Sequence, residues 1–310
     1  AWASARLARR LWPEAAGIGA SVVLVLAGFT VFLIYASATM FDTMLAFATV
    51  LGIGILWRIG QGDDRFRLWA LFGAVLALGV YAKGPVILVH LLPAVIAIRF
   101  WAPMLPAGAR LAKGIALAVG VALALVALWL GPTVVTGTGS YRHELLWTQT
   151  AGRVAGGLAH DRPVWFLIAL LPVLLFPWGW SWAVWPGVAR LVRDDRAARL
   201  LAGQAIAAVL LFSLIAGKQA HYLLPEYPAI ALLVARARHL HPKRTGHISL
   251  APLVPLLVGL AALALAAGVV PADGARATLS PGFAVMLFGF VCLAVATAGW
   301  WLRAGHGDVV

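Results

Sequence analysis

The sequence predicts an all-α, polytopic transmembrane helical bundle of about ten spans, and three observations carry that reading. Of the 310 residues, 63% are hydrophobic and 11% charged, where a soluble domain is roughly half apolar and about a quarter charged. The apolar residues fall in long runs, and at about 20 residues per crossing the length leaves no room for a large soluble domain. The basic residues collect in alternate loops, as the positive-inside rule requires of a chain that crosses repeatedly.

Taken in order, the runs are 15–35, 43–59, 68–81, 86–101, 114–131, 164–189, 200–216, 223–235, 249–270 and 282–302. Before them, 1–12 sets Arg6, Arg9 and Arg10 among apolar residues and reads as the end of an earlier segment or as an interfacial helix. Its arginines follow apolar residues instead of preceding them, so it is not a signal peptide, and the sequence is expected to be truncated at its N-terminus. Runs 68–81 and 86–101 are short and meet at Lys83-Gly84-Pro85, which makes them a tilted hairpin or a re-entrant pair. Run 223–235 is short too and is broken by Pro225 and Pro228. Small residues such as Gly52 and Gly54, or Ala116, Gly120 and Ala124, suit close helix packing. The whole, 1–310, reads as one transmembrane domain.

Orientation follows from the loops. Eighteen of the 24 basic residues lie in one alternating set, including Arg58, Arg65, Arg67, Arg110, Arg196, Arg199, Arg236 and Arg238. The opposite set holds only Lys83, Arg142, Arg153, Arg162, Lys218 and Arg276. The first set is read as cytoplasmic, so Asp42, Lys83, 141–163 and 218–227 share the outward side. A net charge of +13 spread over short loops does not describe a nucleic-acid-binding face. The single cysteine, Cys292, excludes a disulfide framework or a cysteine metal site.

The stretch 217–228 sets Lys218, Gln219, His221, Tyr222, Glu226 and Tyr227 between two apolar runs. Such groups are costly in hydrocarbon unless they face partners or a wet cavity, so a polar ligand is expected there. A helical continuation would put Lys218 on one face with His221 or Tyr222, where lysine and phenol could hold a phosphate; the alternative is an interfacial belt. Glu226 is expected to pair with Lys218. Asp42, at the outer end of the first hairpin, can accept a hydroxyl proton or orient a sugar or cation, or else sits in a solvated turn or caps a helix. Lys83 beside a glycine-proline break suits a phosphate, or snorkels from a span end. In the longest outward loop, Arg153 offers paired donors to a phosphate, while Glu144 and His160 are candidates for substrate contact or support. No histidine spacing marks a metal site: the sequence requires no cofactor, and a divalent cation is possible but unsupported. Trp165, Trp178, Trp180, Trp182 and Trp185 crowd one run, as interface anchors or as the wall of a groove for an isoprenoid tail.

The set Phe41-Asp42, Ala82-Lys83-Gly84-Pro85, Glu144 to Arg153 followed by His160 and Pro163-Val164-Trp165-Phe166, Phe176-Pro177-Trp178, and Gly217-Lys218-Gln219 with His221-Tyr222-Leu223-Leu224-Pro225 resembles the GT-C class of polytopic glycosyltransferases. It is most similar to the family 39 and 4-amino-4-deoxy-L-arabinose transferase group. The resemblance covers about residues 5–235, with 236–310 as additional spans.

The resemblance implies sugar transfer, with inversion, from a polyprenyl-phosphate carrier to a lipid, glycan or protein acceptor at the periplasmic face of a bacterial inner membrane. It implies phosphate-side roles for Lys83, Arg153, Lys218 and Tyr222 and a catalytic acid position at Asp42, with Glu144, His160 and His221 nearby. The group's first outer loop, with its Asp-Glu pair and principal base, is absent from this sequence, which as it stands is expected to be inactive. Thr150 stands where some members have a histidine. The competing reading is a transporter or lipid-binding membrane protein for an anionic substrate.

Overall fold

The computed structural model describes residues 1–37, 40–139, 143, 162–181, 184–215 and 217–240, with isolated positions between 256 and 292. Helix α1 (Trp2–Leu11) is amphipathic: Leu7, Ala8 and Leu11 are buried, while Arg6, Arg9 and Arg10 face outward, so it lies along the bundle rather than through it. Helices α2 (Ile18–Gly28) and α3 (Thr30–Ser37) occupy the first predicted run, but the chain bends by 83° between them. Phe29, extended at the bend, drives its fully buried ring edge-on against Tyr227, with centroids 5.0 Å apart. Such an edge-on pair contributes about 0.5–1.5 kcal/mol beyond the area it buries.

Helix α4 (Phe41–Gly60) has 20 residues and spans about 30 Å. A turn knotted by Asp63, which accepts from Arg58 and Arg65 at 2.6 Å each, leads into α5 (Phe66–Lys83), antiparallel to α4. Gly84, at φ 67°, then turns the chain through Gly84–Val86 into α6 (Ile87–Ile96) and α7 (Ile98–Trp101). Leu91 packs on Gly52, Trp101 packs on Gly60, and the Met104 amide donates to the Gly60 carbonyl at 2.9 Å. The α5–α6 pair is therefore a hairpin that returns to its starting end, the first of the two geometries open to the sequence.

Helix α8 (Gly108–Thr136) lies against α5. At their crossing, a Cβ on Gly73 would sit 2.3 Å from the Ala118 carbonyl oxygen, so only glycine admits that approach. Gly52 likewise serves packing, whereas Gly120 faces open space. The run 164–189 is not one span. It breaks into α9 (Phe166–Leu174) and α10 (Val184–Asp194), because Pro172 and Pro177 remove backbone donors and the intervening segment tightens to a 3-10 turn at Trp178–Trp180. Trp178 is no interface anchor: it donates to the Val25 carbonyl at 2.9 Å and packs on Gly28. Helix α11 (Arg196–Leu214) runs back across the bundle, capped by Asp195, and a seven-residue 3-10 segment, Ala220–Glu226, precedes α12 (Tyr227–Leu240).

Among the described residues, four helical segments are long and apolar enough to cross a membrane, Phe41–Gly60, Phe66–Ile96 (which contains the turn between α5 and α6), Gly108–Thr136 and Arg196–Leu214, or five with the bent α2–α3 pair. The runs 249–270 and 282–302 lie almost wholly outside the described residues. The two ends of the bundle differ chemically. One gathers Arg58, Arg65, Arg110, Arg196 and Arg236, tied by Arg110–Asp64 and Arg236–Glu14 ion pairs at 2.5 Å and by Trp12 donating to Asp195 at 2.7 Å. The other carries the N-terminus of α4 and the C-termini of α5 and α11.

Candidate functional site

Asp42 stands in the first turn of α4, where the positive end of the helix dipole favours a carboxylate. It does not cap the helix through its side chain. Its Oδ1 accepts instead from Lys83 Nζ at 2.5 Å, with side chains 4% and 16% exposed. Lys83 reaches it because α4 and α5 are antiparallel and Lys83 is the last residue of α5.

The ammonium has a second neighbour. The 3-10 segment Ala220–Glu226 packs on α4 and lays the Tyr222 ring beneath Lys83 Nζ, 4.5 Å from its centroid. His221, next in line, contacts Tyr222 edge-on at 5.0 Å and Tyr35 at 5.6 Å. Burial pushes the His221 imidazole below its ordinary pKa, the Lys83 charge adds to that, and the Asp42 carboxylate opposes it. Asp42, Lys83, Tyr222 and His221 thus form one partly open cluster at the end of the bundle opposite the arginine-rich loops.

Lys218 is placed differently. Its ammonium, 2% exposed, gives its three N–H groups to the carbonyls of Arg162 (3.0 Å), Pro163 (3.2 Å) and Ser213 (2.9 Å). All its donors are used, and it ties the chain entering α9 to the end of α11. The expected helical continuation through 218–222 is also replaced, because Gln219 is extended and a 3-10 segment follows, so Lys218 and Tyr222 do not share a helix face. Arg153, Glu144 and His160 lie outside the described residues. Among the described residues, no three potential metal ligands converge.

Glu226 pairs with His90, not with Lys218. Its Oε1 is 2.5 Å from His90 Nδ1, and its Oε2 accepts from the Gln204 amide, with the His90 and Glu226 side chains 0% and 1% exposed. His90 sits inside an apolar run and is 136 positions from its partner, so hydropathy passes over it; the one readable signal is a glutamate within a predicted span, which demands a partner.

Fold and site define a multi-pass helical membrane protein with a partly open polar cluster where the N-terminus of α4 meets the C-terminus of α5. No family model matches the chain. It is 32% identical over 274 residues to the undecaprenyl phosphate-α-4-amino-4-deoxy-L-arabinose arabinosyl transferase of Pseudomonas paraeruginosa, a match covering 84% of this chain and 47% of that protein. It is 29% identical over 269 residues to a second such transferase from Pseudomonas fluorescens, covering 83% and 47%. It shares its fold with the crystal structure of ArnT from Cupriavidus metallidurans bound to undecaprenyl phosphate, at TM-score 0.71 and 22% identity over 97% of this chain and 56% of that one. The same protein in the apo state gives a TM-score of 0.63 at 19% identity, over 95% and 59%. The chain is thus a relative of the arabinosyl transferases, as its motif set indicates, and spans about half the length of the curated relatives it matches.

Proposed function

We propose that the chain carries the donor-phosphate side of a membrane glycosyltransferase that moves a sugar from a polyprenyl-phosphate carrier to a hydroxyl acceptor. The names of its relatives favour undecaprenyl phosphate-linked 4-amino-4-deoxy-L-arabinose as donor. The observation that carries the reading is the convergence of Asp42, Lys83 and Tyr222 where two helix ends and a 3-10 segment meet. The charge distribution supports an active face turned away from the arginine-rich loops, hence periplasmic in a bacterial inner membrane.

In the proposed reaction the acceptor oxygen attacks the anomeric carbon from the face opposite the phosphate. The bond from that carbon to the phosphate oxygen breaks with its electron pair going to the phosphate, and the acceptor proton passes to a carboxylate. Negative charge grows on the departing phosphate, so a fixed ammonium there stabilises the transition state more than the ground state. Lys83 is the residue for that task, with the Tyr222 hydroxyl as a neutral donor beside it and Arg153 joining from the outward loop. Asp42 is the acid position within reach and orients the acceptor or takes its proton. Lys218, with its donors engaged by the carbonyls of Arg162, Pro163 and Ser213, holds the chain entering α9 against the end of α11.

Radiolabelled undecaprenyl-phosphate sugar supplied to membranes containing the native protein tests this. New glycosidic product that disappears with Lys83→Ala supports it; label crossing the membrane without a new bond, or wild-type turnover in Lys83→Ala, overturns it.

A further inference from the structure

Glu226 is a carboxylate enclosed among transmembrane helices, and nothing in the proposed chemistry uses it. It closes the 3-10 segment four residues after Tyr222. That segment has seven residues, where 3-10 runs beyond three or four are uncommon because their hydrogen bonds are poorly aligned. It has no side-chain cap and contains Pro225, which supplies no backbone donor. Local interactions therefore do not fix its course, and tertiary contacts must.

Glu226 makes those contacts in two directions, to His90 on α6 and to Gln204 on α11. A packed path runs from this bracket to the site: the His90 ring lies 5.3 Å from Phe212, Phe212 lies 5.6 Å from Tyr222, and Tyr222 lies under Lys83. Among the described residues His90 Nε2 and Gln204 Oε1 have no hydrogen-bond partner and are sealed from solvent, so the polar contact each side chain makes is the one to the carboxylate. In so apolar a setting a lone carboxylate is expensive, and a two-sided hydrogen-bonded arrangement is the condition for keeping it.

We infer that Glu226, held by His90 and Gln204, is a positioning residue that fixes the register of the 3-10 segment and with it the seat of Tyr222 against Lys83. The inference rests on the polyprenyl-phosphate reading of that cluster. Glu226 touches no reacting atom in this account; it acts through the backbone between 222 and 226.

The test is binding of undecaprenyl phosphate to the chain in nanodiscs, measured beside thermal unfolding for wild type, Glu226→Leu, Glu226→Gln, the triple variant His90→Leu/Gln204→Leu/Glu226→Leu, and Lys83→Ala. Glu226→Leu is expected to weaken binding at least tenfold. Glu226→Gln, whose amide can donate to His90 and accept from Gln204 once His90 changes tautomer, is expected to stay within threefold of wild type. The triple variant replaces the network by apolar groups, so its unfolding temperature is expected to recover towards wild type while affinity stays at least tenfold down. If Glu226→Leu does not fold, the triple variant decides. Wild-type affinity in a folded Glu226→Leu or triple variant, with Lys83→Ala impaired, overturns the positioning role alone. Equal binding by wild type and Lys83→Ala overturns the phosphate reading and this inference with it.

Discussion

Lys83 and Asp42, 41 positions apart, meet at 2.5 Å between ammonium nitrogen and carboxylate oxygen. The pair makes Asp42 the resident anion of the cluster, so an arriving phosphate competes with it. Asp42→Asn is expected to tighten binding of undecaprenyl phosphate by up to about tenfold, close to 1.4 kcal/mol, because the Asp42 charge no longer competes for the ammonium. If Asp42 also takes the acceptor proton, the same variant loses about 100-fold or more in transfer rate. Equilibrium binding in nanodiscs and a transfer assay separate the two effects, and unchanged affinity contradicts the competition.

Lys218 makes three charge-assisted hydrogen bonds to carbonyls that have no obvious substitute. Lys218→Met is expected to cost about 2–4 kcal/mol of stability through the carbonyls it orphans. Thermal unfolding measures this. An unfolding temperature equal to wild type would show that the tether is dispensable.

The His221 imidazole titrates below its ordinary pKa of 6.5 in the folded protein. Between the lowered folded value and 6.5 the unfolded chain binds the proton more readily, so stability rises with pH across that window. It is fully present above 6.5 and is lost as pH falls towards the folded value. The difference in unfolding temperature between wild type and His221→Gln is expected to shrink or change sign on acidification through this range. Lys83→Met should raise the His221 pKa and Asp42→Asn should lower it further, and NMR titration of a labelled imidazole reads both.

Gly73 and Gly120 offer a paired control on the α5–α8 crossing. Gly73→Ala forces its methyl into the Ala118 carbonyl and is expected to destabilise by about 1–3 kcal/mol. Gly120→Ala meets nothing within 4 Å and is expected to be silent or slightly stabilising. Equal unfolding temperatures for the two variants would contradict this crossing.

Hydropathy located α4, α5 and α11 because each buries an apolar run long enough to cross, and the Lys83-Gly84-Pro85 break marked the hairpin because a positive φ and a missing donor are local properties. The alternation of basic loops assigned Asp42, Lys83 and Tyr222 to one side, and the structure brings them together. What sequence did not reveal depends on three-dimensional pairing. His90 reads as a polar interruption in an apolar run until Glu226 is seen against it. Lys218 reads as a free cation until the carbonyls of Arg162 and Pro163, contributed by a distant segment, close over it. The bend at Phe29 is not legible in the run 15–35, because the Tyr227 ring that Phe29 packs on lies far along the sequence.

The Lys218 tether has an electrical side. Carbonyl dipoles solvate its charge but do not cancel it, and among the described residues no carboxylate is paired with it. Its ammonium, four residues from Tyr222, therefore acts in buried surroundings where its field reaches farther than it would in water. On the proposed reading, an anionic headgroup approaching the cluster would feel that potential before contact, so its capture is expected to slow as ionic strength rises.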